Sequence, residues 1–479
     1  MSAHPDALDL MARGFARLDA WEAGHDSAAL RAAPHAALAV DADRLDAALG
    51  AFLDRLTAPP RGDAPGNYPF GHPRYAGQML KPPHPVALAA YAIAARVNPN
   101  NHALDGGPPT AEMEKEVVAD LAAMVGLPAL GAGGLGHLTG GGTVANLEAL
   151  YIAREETGGA TVLASADAHY THRRMCGVLG LPFEAVATDD AGHLDLGALE
   201  ARLAAGGVGT VVLTAATTGL GVVDPIAQAI PLCRAHGARV HVDAAYGGFF
   251  RLLADEGAPA LGGFPAADFR AIAGADSVVI DPHKHGLQPY GCGCVLFRDA
   301  AVGRHYRHDS PYTYFTSAEL HLGEISLECS RPGAAAAALW LTLQALPLTA
   351  DGLGAVQAAG LRAARDLAAR LDTSDVFTLV GLPETDIVAY APRAATWAEV
   401  DAASQRIFDA GMTDPEDPLF VSLYRLDAAR LARLAPDLGA TGEAPDGVRV
   451  LRSVLMKPSH ETATGWLADR LDSLAAASG

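Results

Sequence analysis

The chain has 479 residues, half of them hydrophobic and 19% charged, with a formal net charge of −20. That length allows two or three packed domains, the apolar content excludes a disordered chain, and the acidic surface argues against nucleic acid or an anionic membrane as a partner. The five cysteines, Cys176, Cys233, Cys292, Cys294 and Cys329, are sparse and odd in number, which reads as a reducing, cytoplasmic setting and not a disulfide scaffold.

The opening MSAHPDALDL carries acids and no long apolar run, so no signal peptide is expected. Residues 1–66 mix helical periodicity with a Pro/Gly patch at Ala58–Gly62 and read as a helical segment that packs on a partner subunit. Helical spacing follows near Val86–Arg96 and over Thr110–Val125, where Glu112 and Glu114 suit a helix N-terminus. From residue 135 to 300 short β-branched runs alternate with helical stretches: Thr161–Ser165, Thr210–Thr214, Arg239–Asp243, Ser277–Asp281 and Gly293–Phe297. Strands separated by helices imply a mostly parallel, doubly wound α/β sheet, which binds ligands at the carboxyl ends of its strands. The apolar stretch Gly333–Ala350 includes Gln344 and reads as a buried helix, not a membrane span. Beyond it lie helical stretches Leu353–Leu371 and Trp397–Ala410 and strand candidates Asp386–Tyr390 and Val448–Leu455. The expected division is a large domain over 67–346 and a small C-terminal α/β domain over 347–479.

Chemistry concentrates at the strand ends. The chain has four lysines, Lys81, Lys115, Lys284 and Lys457. Lys284, in Asp281-Pro-His-Lys-His285, follows an apolar strand and can form a Schiff base with an aldehyde cofactor; alone, it would read as a surface-loop lysine. Asp243, ending the run Arg239–Asp243, suits a pyridinium nitrogen or a helix cap. Thr139-Gly-Gly-Gly-Thr-Val-Ala-Asn146 places glycines and a hydroxyl at a helix start, an anion cradle that is neither a Walker A loop nor a dinucleotide fingerprint. His169 follows another strand and offers a ring for stacking. Thr214-Ala-Ala-Thr-Thr-Gly219 offers hydroxyls. Cys292 and Cys294 read as buried strand residues in preference to a metal pair. Each signal is weak alone except the lysine–acid pair; five in one order on one sheet are not.

These residues resemble a known family, the group II pyridoxal-phosphate-dependent amino-acid decarboxylases of the aspartate-aminotransferase fold (fold type I). Its members act on glutamate, cysteine sulfinate, aromatic amino acids or, in archaea, tyrosine and aspartate. The match is carried by His72–Met79, Gly140–Asn146, Ala168–Tyr170, His241-Val-Asp-Ala-Ala-Tyr246, Asp281-Pro-His-Lys284 and Leu451–Met456, and spans residue 66 to the end. The resemblance implies a seven-stranded, mostly parallel large-domain sheet. It implies pyridoxal 5'-phosphate on Lys284, Asp243 at the pyridine nitrogen and His169 on the ring. It places Gly142 and Thr143 at the phosphate with Asp281 and His283 nearby, Ala245 at the cofactor, and Thr217 or Thr218 at the ring hydroxyl or substrate. Gln78 and Arg452 match substrate-side residues of the glutamate type, Arg452 receiving a carboxylate. It further implies a homodimer with the active site at the interface and a catalytic tyrosine on the loop His308–Thr316, Tyr312 first and Tyr314 in reserve. No metal is expected.

Two features depart from the pattern: His285 after the lysine, and Asn98–Gly107, which the resemblance places near the substrate. The expected reaction is decarboxylation of an L-amino acid to the amine and carbon dioxide. The rivals are a lyase, an aminotransferase or an oxidative aldehyde synthase on the same fold, and the loop tyrosines favour decarboxylation over the last. Similarity around Asp281–Gly286 points to an aromatic substrate, Gln78 and Arg452 to an acidic one, and of the two the resemblance favours the aromatic class.

Overall fold

The computed structural model describes residues 6–27, 36–59, 66–255, 262–307 and 322–477. Seven strands make the large sheet: β1 (Leu135–Thr139), β2 (Thr161–Ser165), β3 (Phe183–Val186), β4 (Val208–Thr214), β5 (Arg239–Ala244), β6 (Ser277–Ile280) and β7 (Gly293–Phe297). Their order is β1-β7-β6-β5-β4-β2-β3. Strands β2 to β6 pair in parallel, while β7 runs antiparallel to both β1 and β6. The sheet is therefore mixed, with one opposed strand in a mostly parallel array. The reversal follows from the connection: no helix crosses over between β6 and β7, so the chain turns back.

The five runs read from the sequence return as strands with bounds shifted by at most two residues. β4 and β6 are rich in Val, Ile and Leu, and β5, which alternates Val with His and Asp, is buried beyond Arg239, as expected of central parallel strands covered on both faces. β1 and β3 carry weaker signals. β1 holds Gly136 and His137, and β3 is an edge strand with Glu184 and Ala185 exposed.

A second, C-terminal sheet joins β8 (Phe377–Leu379), β9 (Ile387–Pro392), β10 (Ser422–Leu426) and β11 (Val448–Val454) in the order β10-β11-β9-β8, all antiparallel. Helices Gly354–Asp372 and Trp397–Thr413 pack on it. Among the described residues no helix is long and apolar enough to cross a membrane. The helix Gly333–Ala345 is instead buried against its neighbours. Cys292 and Cys294 are buried in and beside β7, and burial raises both thiols, which keeps them protonated.

Glu114 departs from its expected role. The helix starts at Pro108, so Glu114 lies in its second turn, fully buried. Its carboxylate pairs with Arg331 and accepts the Leu138 N–H at 3.0 Å and the Asn101 side-chain N–H at 2.7 Å. The stretch Asn98–Gly107 thus braces this buried ion pair.

A charged latch ties the two sheets together. His193, in the loop after β3, bonds Glu384 at 2.6 Å and Asp189 at 3.2 Å, and Glu384 also accepts the Val223 N–H at 2.7 Å. The Glu384 hydrogen bond, opposed by burial, raises His193 to about 9. Its folded value exceeds the unfolded 6.5, so the stabilisation is complete below pH 6.5 and disappears as pH rises through 9. After allowance for solvent screening, that is about 1–2 kcal/mol. His193→Gln should lower the urea midpoint at pH 6 and cost little at pH 9.5; an equal loss at both values would exclude the imidazolium as its source.

Candidate active site

The carboxyl ends of β1, β2, β4, β5 and β6 open into one cavity of about 380 Å³. Its lining includes Gly142, Thr143, His169, Thr218, Asp243, Ala245, Asp281, His283 and Lys284, nine of the residues singled out from the sequence. Thr217 lies behind the wall, fully buried, with its hydroxyl unpartnered, while its neighbour Thr218 is exposed to the cavity. Gln78 and Arg452 do not line it, nor does any residue of Asn98–Gly107. Tyr312 and Tyr314 lie outside the described residues.

The cradle is built by the turn from β1 into the helix Gly142–Thr157. Gly141 takes φ +146°, which an L side chain rarely adopts, and no side chain caps the helix. A Cβ on Gly142 would sit 2.6 Å from Asp281 Oδ2, so only glycine lets the acid approach. The helix therefore presents its first turn and positive dipole end to the cavity.

On the opposite wall, Lys284 Nζ lies 3.1 Å from Asp281 Oδ2, and His283 Nε2 lies 3.5 Å from the same oxygen. Asp281 is buried and its Oδ1 has no partner, as has His283 Nδ1. Burial lowers His283 below its ordinary value, so the ring is neutral near pH 7. Lys284 is about a quarter exposed, the accessible amine of the cavity.

Asp243 ends β5 in register with Thr214 of β4. Its Oδ1 accepts the Ala245 N–H at 3.1 Å and its Oδ2 faces His172 Nε2 at 2.9 Å. Burial alone would raise this acid, but the His172 hydrogen bond and the surrounding positive charge hold it well below the usual carboxylate range. Beneath it, His241 bonds Asn146 Oδ1 at 2.8 Å and Ser277 Oγ at 2.9 Å. Burial pulls His241 down to about 3, so it is a neutral spacer. His169 sits at the mouth, its Nδ1 accepting the Thr171 N–H at 3.3 Å; burial lowers it against the pull of Asp243.

Sequence reasoning missed several members. His172 has no motif of its own. Ala216 lines the cavity at φ +75°, a strained value for a residue other than glycine. Asp167, two residues before His169, is clamped by both terminal nitrogens of Arg430, 263 positions away, which fixes the His169 loop to the C-terminal region. Tyr246, also in the lining, donates its hydroxyl to Asp386 Oδ1 at 2.6 Å.

Through Asp386 the cavity wall meets a buried cationic cluster. Lys81 Nζ is 3.4 Å from His285 Nδ1, and His285 Nε2 is 3.3 Å from Asp386 Oδ2. Lys457 donates to the Tyr75 carbonyl. Arg452, 5% exposed, donates one hydrogen bond to Ser422 Oγ at 3.1 Å, and its Nε and Nη2 have no partner. Burial lowers Lys457 to about 7, also lowers Lys81 and Arg452, and raises Asp386.

Comparison with known proteins agrees with this chemistry. A family model described as the pyridoxal-dependent decarboxylase conserved domain matches residues 70–393, more than half of the chain. A probable L-tyrosine/L-aspartate decarboxylase of Methanothermobacter thermautotrophicus is 31% identical over 321 residues, covering 66% of this chain and 82% of its own. An L-2,4-diaminobutyrate decarboxylase of Rhizobium meliloti is 31% identical, covering 71% and 70%. The crystal structure of Oryza sativa TDC with PLP and tryptamine superposes with a TM-score of 0.74 at 19% identity over 98% and 96% of the two chains, a likeness of fold. The chain therefore belongs to the pyridoxal-dependent decarboxylase family, with fold type I and pyridoxal 5'-phosphate as its cofactor.

Proposed function

We propose that the chain decarboxylates an acidic L-amino acid, with Lys284 holding the cofactor and Asp243 facing its ring nitrogen. The observation that carries this reading is the placement, in one cavity, of an accessible lysine amine, a strand-end carboxylate and a glycine cradle at a helix start. These residues fit pyridoxal phosphate. The uncapped helix start and the unpartnered His283 Nδ1 suit a phosphate, and the Thr218 hydroxyl suits a ring oxygen. When bound, the cofactor supplies the electron sink that lets the bond between Cα and the carboxylate break.

The protein's part is placement and proton control. Asp281, 3.1 Å from Lys284 Nζ, positions that nitrogen in the cavity. Asp243, kept ionised, holds a proton on the ring nitrogen. His169, in the cavity lining, would lie against the ring face of the bound cofactor and, with Tyr312 or Tyr314, is the proposed donor of the proton that Cα would take up after carbon dioxide leaves. The buried charge favours an acidic substrate over an aromatic one. Lys81, Arg452 and Lys457 surround a single carboxylate, Asp386, so the cluster has room in its charge balance for an anion. The relative named for tyrosine and aspartate supports both classes.

A homodimer is part of the proposal. The helix Ala42–Thr57 has no buried residue, and Leu45, Leu49, Phe52, Leu53 and Leu56 are all exposed on it, an apolar surface suited to a partner subunit. A cytoplasmic location is supported by the five free cysteines.

The test is carbon dioxide release by cofactor-loaded protein across a panel of acidic, aromatic and basic L-amino acids, with peroxide measured in parallel. Release from an acidic substrate with the matching amine is the expected result. Peroxide with aldehyde, or amino transfer without carbon dioxide, would overturn decarboxylation; release from aromatic substrates alone would overturn the substrate class. A second check addresses the cradle. Gly142→Ala should push Asp281 aside and weaken cofactor binding by about tenfold, the loss of one charge-assisted hydrogen bond, measured by fluorescence titration.

A further inference from the structure

We propose that His172 is a positioning residue that works through Asp243, keeping the ring proton on the cofactor nitrogen and off the carboxylate. This rests on the reading that Asp243 faces that nitrogen.

His172 is the second residue of the helix Thr171–Leu179 and has no exposed surface. Its Nε2 meets Asp243 Oδ2 at 2.9 Å, a contact spanning 71 positions of chain. An ionised carboxylate only accepts hydrogen bonds, so Nε2 carries the hydrogen. Nδ1 has no partner. The neighbouring ring, His241, is edge-on at 6.2 Å, and both its nitrogens are already engaged with Asn146 and Ser277. Among the described residues, the one polar contact of this buried imidazole is therefore the acid of the cavity. An apolar side chain would fill the same space without leaving a buried nitrogen unsatisfied, so packing does not account for a histidine here.

The Asp243 contact does account for it. Asp243 is deep in the protein, where burial favours its neutral form. Two hydrogen bonds oppose that, from the Ala245 backbone and from His172. The backbone donor is present whatever the side chains are; the imidazole is the one that sequence can vary. Each carboxylate oxygen keeps further lone-pair capacity for the ring nitrogen. With the His172 N–H removed, the proton between ring and acid shifts toward Asp243. A neutral ring nitrogen draws electrons less strongly, and the ion pair that helps retain the cofactor is lost. The same bond also fixes the carboxylate's rotation, since it ties Oδ2 while Ala245 ties Oδ1.

The test uses the full-length, cofactor-loaded protein as His172→Leu, His172→Gln and Asp243→Ala. Glutamine keeps an N–H donor at a reach similar to Nε2; leucine keeps only volume. The first readout is the ¹⁵N resonance of the ring nitrogen in labelled pyridoxal phosphate, which reports its protonation directly. The second is the cofactor dissociation constant. Leucine should move the resonance toward the unprotonated position and weaken cofactor binding and kcat by about 10–100-fold, the range for outer-shell partners, with KM little changed. Glutamine should restore most of each. A resonance and affinity unchanged in folded His172→Leu, while Asp243→Ala alters both, would overturn the role of His172 and leave the Asp243 reading intact. No change in Asp243→Ala would overturn both. Equal damage in leucine and glutamine variants with the nitrogen still protonated would assign His172 to packing alone. If the leucine variant does not fold, the glutamine variant decides: wild-type resonance and affinity support the hydrogen-bond role, and their loss overturns it.

Discussion

Lys284→Ala should lower carbon dioxide release by about a thousandfold or more, the scale expected when a covalent catalytic group is removed. No other amine is placed to substitute. Lys115 is paired with Glu112 on the surface, and Lys81 and Lys457 point into the cationic cluster and not into the cavity lining. The cradle around Gly142 and the acid Asp243 remain, so the variant should still take up cofactor but release it on gel filtration. Borohydride should fix the cofactor to the wild-type chain at Lys284, read by peptide mass, and fix none to the variant. Carbon dioxide release retained in Lys284→Ala, or a label on another residue, would reject the assignment.

What the sequence made legible was local. A run of β-branched residues ending in Asp or followed by Lys carries its own evidence, because a buried parallel strand needs that composition and its end must open onto the ligand crevice. Hence Asp243, Lys284 and the Gly140–Asn146 turn could be placed from sequence. β1 and β3 could not. Gly136 and His137 dilute the first, and His137 is tolerated because both ring nitrogens are engaged inside the core, by Glu148, eleven positions on, at 2.9 Å and by the Leu138 carbonyl at 2.8 Å. The edge strand Phe183–Val186 needs no apolar alternation on its open side. The second layer of the site was illegible for a different reason. His172 meets Asp243 only once β2 and β5 lie in one sheet, while Arg430 meets Asp167, and Lys81, Asp386 and Lys457 come together, only after the two sheets dock. Glu114 shows the converse error. An acid early in a helix reads as a dipole partner until the fold supplies Arg331 from 217 positions away.

Arg452→Met should raise KM for an acidic substrate by about thirtyfold or more, since breaking a buried charge pair costs about 2–5 kcal/mol. The same variant should be no less stable than the wild type. Arg452 is buried with two unpartnered nitrogens, and an apolar side chain of similar volume removes a desolvation cost without removing an ion pair. Activity and stability therefore move in opposite directions, which a purely structural arginine would not produce. The lysines add a pH dependence with a definite sign. Burial holds Lys457 at about 7, and Lys81 is lowered by the same cause. Near pH 8 a large share of Lys457 is neutral while the cluster is empty. An incoming carboxylate restores its charge, so binding takes up a proton and weakens as pH rises through 7. The groups facing Lys457 are Tyr75, Lys81, Asp386 and His460; Asp386, raised to about 6 by burial, is ionised at pH 8, and a neighbouring anion can only add to the uptake. Calorimetry of a non-reactive dicarboxylate in buffers of different ionisation enthalpy at pH 8 measures the uptake. A positive proton count that falls in Lys457→Met supports an anion subsite at this cluster. A count of zero, with KM for acidic and aromatic substrates equally indifferent to Arg452, would mean that the three cations serve only to hold the two sheets together, and the aromatic reading of the substrate would stand in its place.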